Sequence, residues 1–503
     1  MINTVIFNNE IKVWWEYVKL YDNNSFVVTL NGKEVGRTQK SHFNIKGLSP
    51  CSEYEINVNL IDESGKIKQC VGNTCVITAM EKRKIDITKP PYCAIPDGKT
   101  LNTLAIQNAI NDCSENDYVF FPDGIYLTGA INLKSNIELL LADNAVIQGS
   151  FDPKDYLPKI ESRFEGYVES CYRSLLNAGA FDEKGGINCE NITIRGGKIY
   201  GGGQQLRANI INAEKEPILK EYGFENEINP PYFYSSVLPG RKRGRLFGFS
   251  NVQNVIIANT EVGNSPSWNL HFTYCENVIT CGCIITSHGI SNGDGWDPDS
   301  SKNCVVFDTC FDTGDDCVAI KSGKNLEGYL IGRPCEHIRI FDIETVDGHG
   351  IAIGSEMSGG VNDVVIWNCC IPYGTGIYIK SQKKRGGYVK NVKVYNCSTP
   401  SISIHSSYGV NNDGEPAPNP PEISDMIFED ITVTGVSLFT NDHERVEPET
   451  AVSVSGLDKE HPIKNVTLKN ITLKYRSMMP YQSVYLSNVE GVKLENVVCL
   501  GEI

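Results

Sequence analysis

An Asn or Asp followed by a short apolar-x-apolar strand recurs at Asn136-Ile137, Asn191-Ile192, Asn254-Val255, Asn277-Val278, Asn303-Cys304, Asp363-Val364, Asn391-Val392, Asp425-Met426 and Asn465-Val466, with His337-Ile338 filling the same place. From Asn254 onward the spacing runs between 277 − 254 = 23 and 465 − 425 = 40 residues. Periods of this size belong to solenoids. A unit too short to hold helices, with Val and Ile strands and polar turns, can bury its apolar side only by stacking on the next unit. The repeat therefore predicts an all-β chain built as a parallel β-helix of about ten coils. A propeller needs four strands in each blade of roughly 40 to 45 residues, and most of these repeats are too short for that.

The first 87 residues lack the repeat. Short alternating runs (Ile11-Lys12-Val13-Trp14, Phe26 to Leu30, Tyr54 to Val58) are separated by turn residues such as Asn31-Gly32, the mark of a small antiparallel β-sandwich. Residues 1–87 are thus expected to form one domain and residues 88–503 the solenoid, with a Pro-rich joint at 88–92. Just beyond it, Ile106, Ala109, Ile110 and Cys113 fall on one helical face. This is expected to be nearly the only helix of the solenoid, placed to cap its N-terminal edge, where unpaired backbone groups invite aggregation.

Composition excludes several classes. With 41% hydrophobic and 21% charged residues the chain is an ordinary globular protein. Its 46 Lys+Arg against 61 Asp+Glu leave a charge of −15, which disfavours nucleic acid as a partner, because that affinity rests on cationic side chains meeting phosphates. No run approaches the roughly 20 apolar residues of a membrane span, so no membrane partner is expected. Asn and Glu interrupt the first residues before a signal-like apolar core forms. The 18 Cys show no paired CxxC units and no regular His partners, and most read as small buried hydrophobes in a reducing compartment. The expectation is a cytoplasmic protein, or a secreted or periplasmic one if a leader precedes this sequence, with no metal and no cofactor.

In a solenoid, residues at equal offsets in successive coils stack about 4.8 Å apart. Asp315 lies at 315 − 303 = 12 and His349 at 349 − 337 = 12, so the two are expected to face each other. Asp294 lies in the coil before, and Tyr378 and Lys380 in the coil after, in the same third of the turn. Carboxylates crowded in this way cannot all ionise without cost, so at least one should keep its proton. A protonated acid beside an ionised base is the apparatus of glycoside hydrolysis. Gly314-Asp315-Asp316 alone reads more readily as a turn cap or a Ca2+ site. The co-registered His349 and Lys380 have no part in a purely structural turn. Asp297, just before Pro298, reads as a turn residue or as a further member of the carboxylate group.

Residues 88–503 resemble glycoside hydrolase family 28, the polygalacturonase family. Asn292 and Asp294 match its Asn-x-Asp element, Asp315 and Asp316 its Gly-Asp-Asp, and His349 its Gly-His-Gly, in the family's order. The stretches Phe120 to Tyr126 and Ser265 to His271 agree as well. The resemblance implies a right-handed parallel β-helix that hydrolyses pectin backbones with inversion. It implies Asp315 as the general acid, Asp294 with Asp316 activating water, and His349 holding the acid's geometry. Lys380 would pair with a substrate carboxylate, and Asn292, Tyr378 and Tyr408 would line the sugar site. The family's Arg-x-Lys is Tyr378-Ile379-Lys380 here, and Tyr cannot offer the planar fork of Arg to a carboxylate. The backbone could then be a rhamnogalacturonan or a decorated galacturonan, and Arg385 or Lys383 is either a substitute for that Arg or a solvated loop charge. The run Leu48 to Tyr54 resembles the fibronectin type III pattern, in which a Tyr packs at a corner between the sheets.

The expected partner is a pectic poly- or oligosaccharide, with the oligomeric state open. A net negative chain repels a polyanion, so Arg241-Lys242-Arg243 with Arg245, and Lys383-Lys384-Arg385, are either recruiting patches or solubilising surface. The 63-residue gap from Asn191 to Asn254, which carries Pro230 to Tyr234, and the insertion at 411–421 are expected to close one end of the cleft. That predicts release of small sugars from chain ends. A Ca2+-dependent pectate lyase and a non-catalytic glycan-binding solenoid are the competing functions.

Overall fold

Every one of the ten repeat-starting residues, from Asn136 to Asn465, takes a positive φ between 54° and 60° in the computed structural model of the chain. Left-handed backbone is costly for most side chains, and Asn, Asp and His tolerate it best. The structure describes residues 2–21, 23–221, 223, 238–409, 413–435, 450–475 and 482–501. After each left-handed residue the next one turns inward. Ile137, Ile192, Val255, Val278, Cys304, Ile338, Val364, Val392, Met426 and Val466 pair in that order as one column of a 14-stranded sheet. All ten are buried. On the outside the Asn side chains form rungs: Asn191 Nδ2 donates to Asn136 Oδ1 at 2.7 Å, Asn254 to Asn191 at 2.9 Å and Asn277 to Asn254 at 3.1 Å. One residue per coil thus sets both the bend and the stacking.

Two further sheets of 8 and 11 strands complete the parallel β-helix. Helix α1, Thr103–Asp112, buries Ile106, Ala109 and Ile110 in the same core as the first coils, as their spacing predicts. Two more helices, α2 (Gly203–Glu221) and α3 (Asn325–Ile331), depart from the expectation of a nearly helix-free solenoid. The buried stripe of α2 includes Glu214 and its chain includes Pro217, so the helical pattern is weak in the sequence.

The chain divides into two compact units between Arg83 and Lys84. Strand Arg83–Asp86 already belongs to the 14-stranded sheet, so coil pairing starts before Pro90-Pro91. In the first unit, one antiparallel sheet holds Ile2–Ile6, Glu10–Trp15 and His42–Lys46, and the other holds Lys33–Thr38, Ser25–Leu30, Glu53–Ile61 and Ile67–Ile77. Val13, Trp15, Phe26, Val28, Ile56 and Val58 fill the space between them. The Tyr54 hydroxyl accepts from the Ser49 N–H at 3.0 Å, closing a corner five residues upstream.

Candidate active site

The 11-stranded sheet positions the chemistry. Trp296 lies opposite Val318, Val318 opposite Ile351, and Ile351 opposite Ile377. Two residues before these partners, Asp294, Asp316 and His349 share one column in the turns that enter three successive strands. The equal offsets of Asp315 and His349 are therefore displaced by one. The turns explain it: Asp312 pairs with Asp347 and Val318 with Ile351, so the turn carrying Asp315 and Asp316 is two residues longer than the one carrying His349, which outweighs the one extra residue, Val346, that a bulge adds to the His349 coil. His349 still meets both carboxyls, with Nδ1 at 3.1 Å from Asp315 Oδ1 and 3.5 Å from Asp316 Oδ1.

Asp316 is held from two coils further on. Lys380 Nζ donates to its Oδ2 at 2.9 Å, and the Tyr378 hydroxyl donates to its Oδ1. Tyr378 packs on Ala319 and Ala352, which leave room for its ring. Asp294 Oδ2 accepts from Lys321 Nζ at 3.1 Å. The same ammonium lies 3.7 Å from both Asp297 Oδ1 and Glu356 Oε2. Asn292 Oδ1 accepts from Arg243 Nη2 at 2.8 Å. The ring of Tyr408 has its centroid 5.4 Å from Lys380 Nζ. All of these candidates gather in one place. Arg385 is different from both expectations for it: it is neither solvated nor a free fork, but fully buried, with Nε donating to the Ser355 carbonyl and Nη1 to Asn325 Oδ1.

The environments push the carboxyls apart. Burial raises Asp294 to about 7, against the pull of Lys321 and with Asp315 and Asp316 adding to the rise. Burial, and then the charge of Asp294, raise Asp297 well above the carboxylate range. For Asp316 burial is outweighed by Lys380 and His349, which hold it well below that range. Burial is likewise outweighed at Asp315, which His349 keeps low. Burial alone would lower His349, but Asp315 and Asp316 lift it to about 10. The site thus stores protons at two places, on the His349 imidazole and on the Asp294/Asp297 pair.

The basic run is not a surface patch. Arg241, Arg243 and Arg245 are buried, and they hold an antiparallel hairpin, Ile160–Phe164 with Tyr167–Cys171, over the sheet. Arg241 pairs with Glu165 at 3.0 Å, Arg163 with Asp299 at 2.8 Å, and Tyr167 donates to the Asp413 carbonyl at 3.1 Å. A Cβ on Gly166 would lie 2.4 Å from Lys324 Cβ, so only Gly fits at this tip. The column of Asp316 and Asp294 continues into Trp268 and Arg245, each two residues before a paired strand position. Phe164 stacks on Trp268 with centroids 4.8 Å apart, and Trp268 and Arg245 are each 2% exposed. The groove therefore ends one coil before Asp294. Both long insertions supply contacts here, through Arg241 to Arg245 and through Asp413, while Pro230 to Tyr234 lie outside the described residues.

Lys321, Arg163 and the Phe164–Trp268 stack were not singled out from the sequence, and Arg243 was read there only as part of a basic run. Lys321 had a signal: the alternation Val318-Ala319-Ile320-Lys321 puts it on the outward face beside Asp299. Among the described residues, two groups have metal-type ligand atoms within 4.8 Å of one another: Asp315, Asp316 and His349, and on the adjoining turns His288, Asp312 and Asp347. In the first, His349 carries a proton and pairs with both carboxyls, which is the wrong state for a ligand.

Known proteins share this architecture. The family model described as Glycosyl hydrolases family 28 matches residues 235–498. An exo-poly-α-D-galacturonosidase of Dickeya chrysanthemi is 28% identical over 77% of this chain and 68% of its own length. A probable polygalacturonase of Vitis vinifera is 28% identical over 80% of this chain and 77% of its own. The family 28 exopolygalacturonase of Yersinia enterocolitica shares the fold with a TM-score of 0.80 at 21% identity, covering 99% of this chain and 96% of that one. The exopolygalacturonase of Thermotoga maritima gives a TM-score of 0.66 at 28% identity, covering 83% and 91%. With the family's motifs gathered in one column of the β-helix, this chain belongs to glycosyl hydrolase family 28.

Proposed function

We propose that this protein is an inverting hydrolase that removes small sugars from the ends of galacturonic-acid-containing chains. The observation that carries this reading is the column of Asp294, Asp316 and His349, open at Asp315 and His349 and stopped by Phe164 on Trp268. Asp315, about a quarter exposed at its side chain, is the carboxyl that can reach a glycosidic oxygen. Its proton comes from His349 Nδ1, passes through Asp315 Oδ1 and goes to the leaving oxygen. Water attacks the anomeric carbon from the opposite face, and Asp294 takes its proton. A base near 7 suits that task, because proton transfer is best served by a group poised near the working pH. Lys380, Tyr378 and His349 fix Asp316 as an anion that orients the water. The stop at Trp268 admits a chain end and excludes a threaded polymer, as the relatives named for exo-action also suggest.

Tyr378 favours one variation. Its hydroxyl is spent on Asp316, so the sugar carboxylate must be met by Lys380 alone among the two residues of that element. Chromatography of digests of homogalacturonan, rhamnogalacturonan and substituted galacturonan decides the backbone. Mono- or digalacturonate from homogalacturonan supports the reading. Release only from the substituted polymers moves the assignment to them, and no reducing sugar from any of the three refutes it.

A further inference from the structure

Three carboxylate oxygens beneath the site have no hydrogen-bond donor: Asp294 Oδ1 and both oxygens of Asp297. Asp294 is 3% exposed and Asp297 0%, so these oxygens are closed to bulk solvent. Lys321 stands among Asp294, Asp297 and Glu356, and one ammonium cannot neutralise three anions. The remaining charged groups do not help. Asp316 adds negative charge and is served by Lys380. Arg245 spends its Nη atoms on the carbonyls of Arg243 and Arg163. His271, opposite Asp297 on the neighbouring strand, is turned to Asp299 at 3.3 Å and is neutral, since burial lowers it to about 4. A turn role for Asp297 would require its oxygens to accept backbone N–H groups, and among the described residues they accept none.

A buried carboxylate without donors is expensive, and protonation converts one of its oxygens into a donor. We propose that Asp297 is a positioning residue for Asp294: its carboxyl keeps a proton and donates it to Asp294 Oδ1, fixing the face that Asp294 turns to the cleft. One proton then satisfies orphaned oxygens on both residues, while Lys321 serves Asp294 Oδ2. The proposal rests on Asp294 as the base, and its direction agrees with the raised pKa values of the pair.

The test compares Asp297→Asn and Asp297→Ala with the wild type. The Asn amide offers a neutral donor, so kcat should stay within about 3-fold and the acid limb of kcat/KM should stay in place. The Ala variant leaves Asp294 Oδ1 unserved, so kcat should fall about 10-fold or more with KM unchanged, and the limb should move to higher pH. If Asp297 is an anion instead, Asn removes a neighbouring charge and the limb moves down by about one pH unit, which overturns the proposal; so does an Ala variant with wild-type kcat and limb. Infrared spectra of the wild type are read without substrate, and they decide the matter even if the variants fail to fold or the substrate assignment fails. A carboxylic-acid stretch that persists at mildly alkaline pH supports the proposal, and its absence there overturns it.

Discussion

Asp294 is more easily protonated in the fold than in a free chain, and that one shift has two consequences of opposite kind. Its pKa in the fold, about 7, stands above the ordinary value of 3.8. The fold therefore favours its protonated form. The stability this contributes is complete below the unfolded value and is lost as pH rises towards the folded one, so at neutral pH and above the ionised carboxylate is a burden on the fold. Asp294→Asn should lower kcat by about 10² to 10⁴, the range for a missing general base, while raising the thermal midpoint at mildly alkaline pH. Kinetics and calorimetry on one preparation check both, and a lowered midpoint would mean that Asp294 is structural. The wild type should lose kcat/KM as pH falls through about 7, because the base must be ionised. Loss on the alkaline side with the same midpoint would make Asp294 the acid instead.

The coil turns and the hairpin carry the next predictions. Asn277 holds φ at 57°, so Asn277→Ala should cost about 1 to 2 kcal/mol in denaturant unfolding, and Asn277→Gly should recover most of the backbone share. Equal losses for the two would place the cost in the Asn rungs alone. The hairpin Ile160–Phe164/Tyr167–Cys171 is the element that stops the groove. Shortening it to a tight turn should make the viscosity of a polymeric galacturonan fall faster for each reducing end released. An unchanged ratio would show that the stop lies elsewhere. The stacking column was legible because each coil repeats its own left-handed residue. The hairpin was not: Arg163 meets Asp299 across 136 residues, and no local pattern announces such a pairing. The one-residue slip at His349 was also hidden, because the bulge at Val346 and the two-residue difference in turn length that follows it both leave the repeat spacing looking regular.

Across the molecule, a net negative chain turns many of its cations inward, where buried carboxylates meet them. The chain carries −15, yet Arg163, Arg241, Arg243, Arg245, Lys321, Lys324, Lys380 and Arg385 are all buried around the site. A run such as Arg241-Lys242-Arg243 reads as surface in a sequence because solvation is the usual fate of such charges. Only the fold shows that Glu165, Glu169 and Asp413 come from elsewhere to meet Arg241 and Lys242. The motifs were legible as chemistry, and their partners Lys321 and Arg243 were not, since those depend on which face a strand turns outward. The central claim is inversion at chain ends, and early-time proton NMR of a polygalacturonate digest tests it most directly. A single small saccharide appearing first as the inverted anomer, with no ladder of longer fragments, is the predicted result. Net retention, an unsaturated uronate, or a mixture of internal fragments would contradict it.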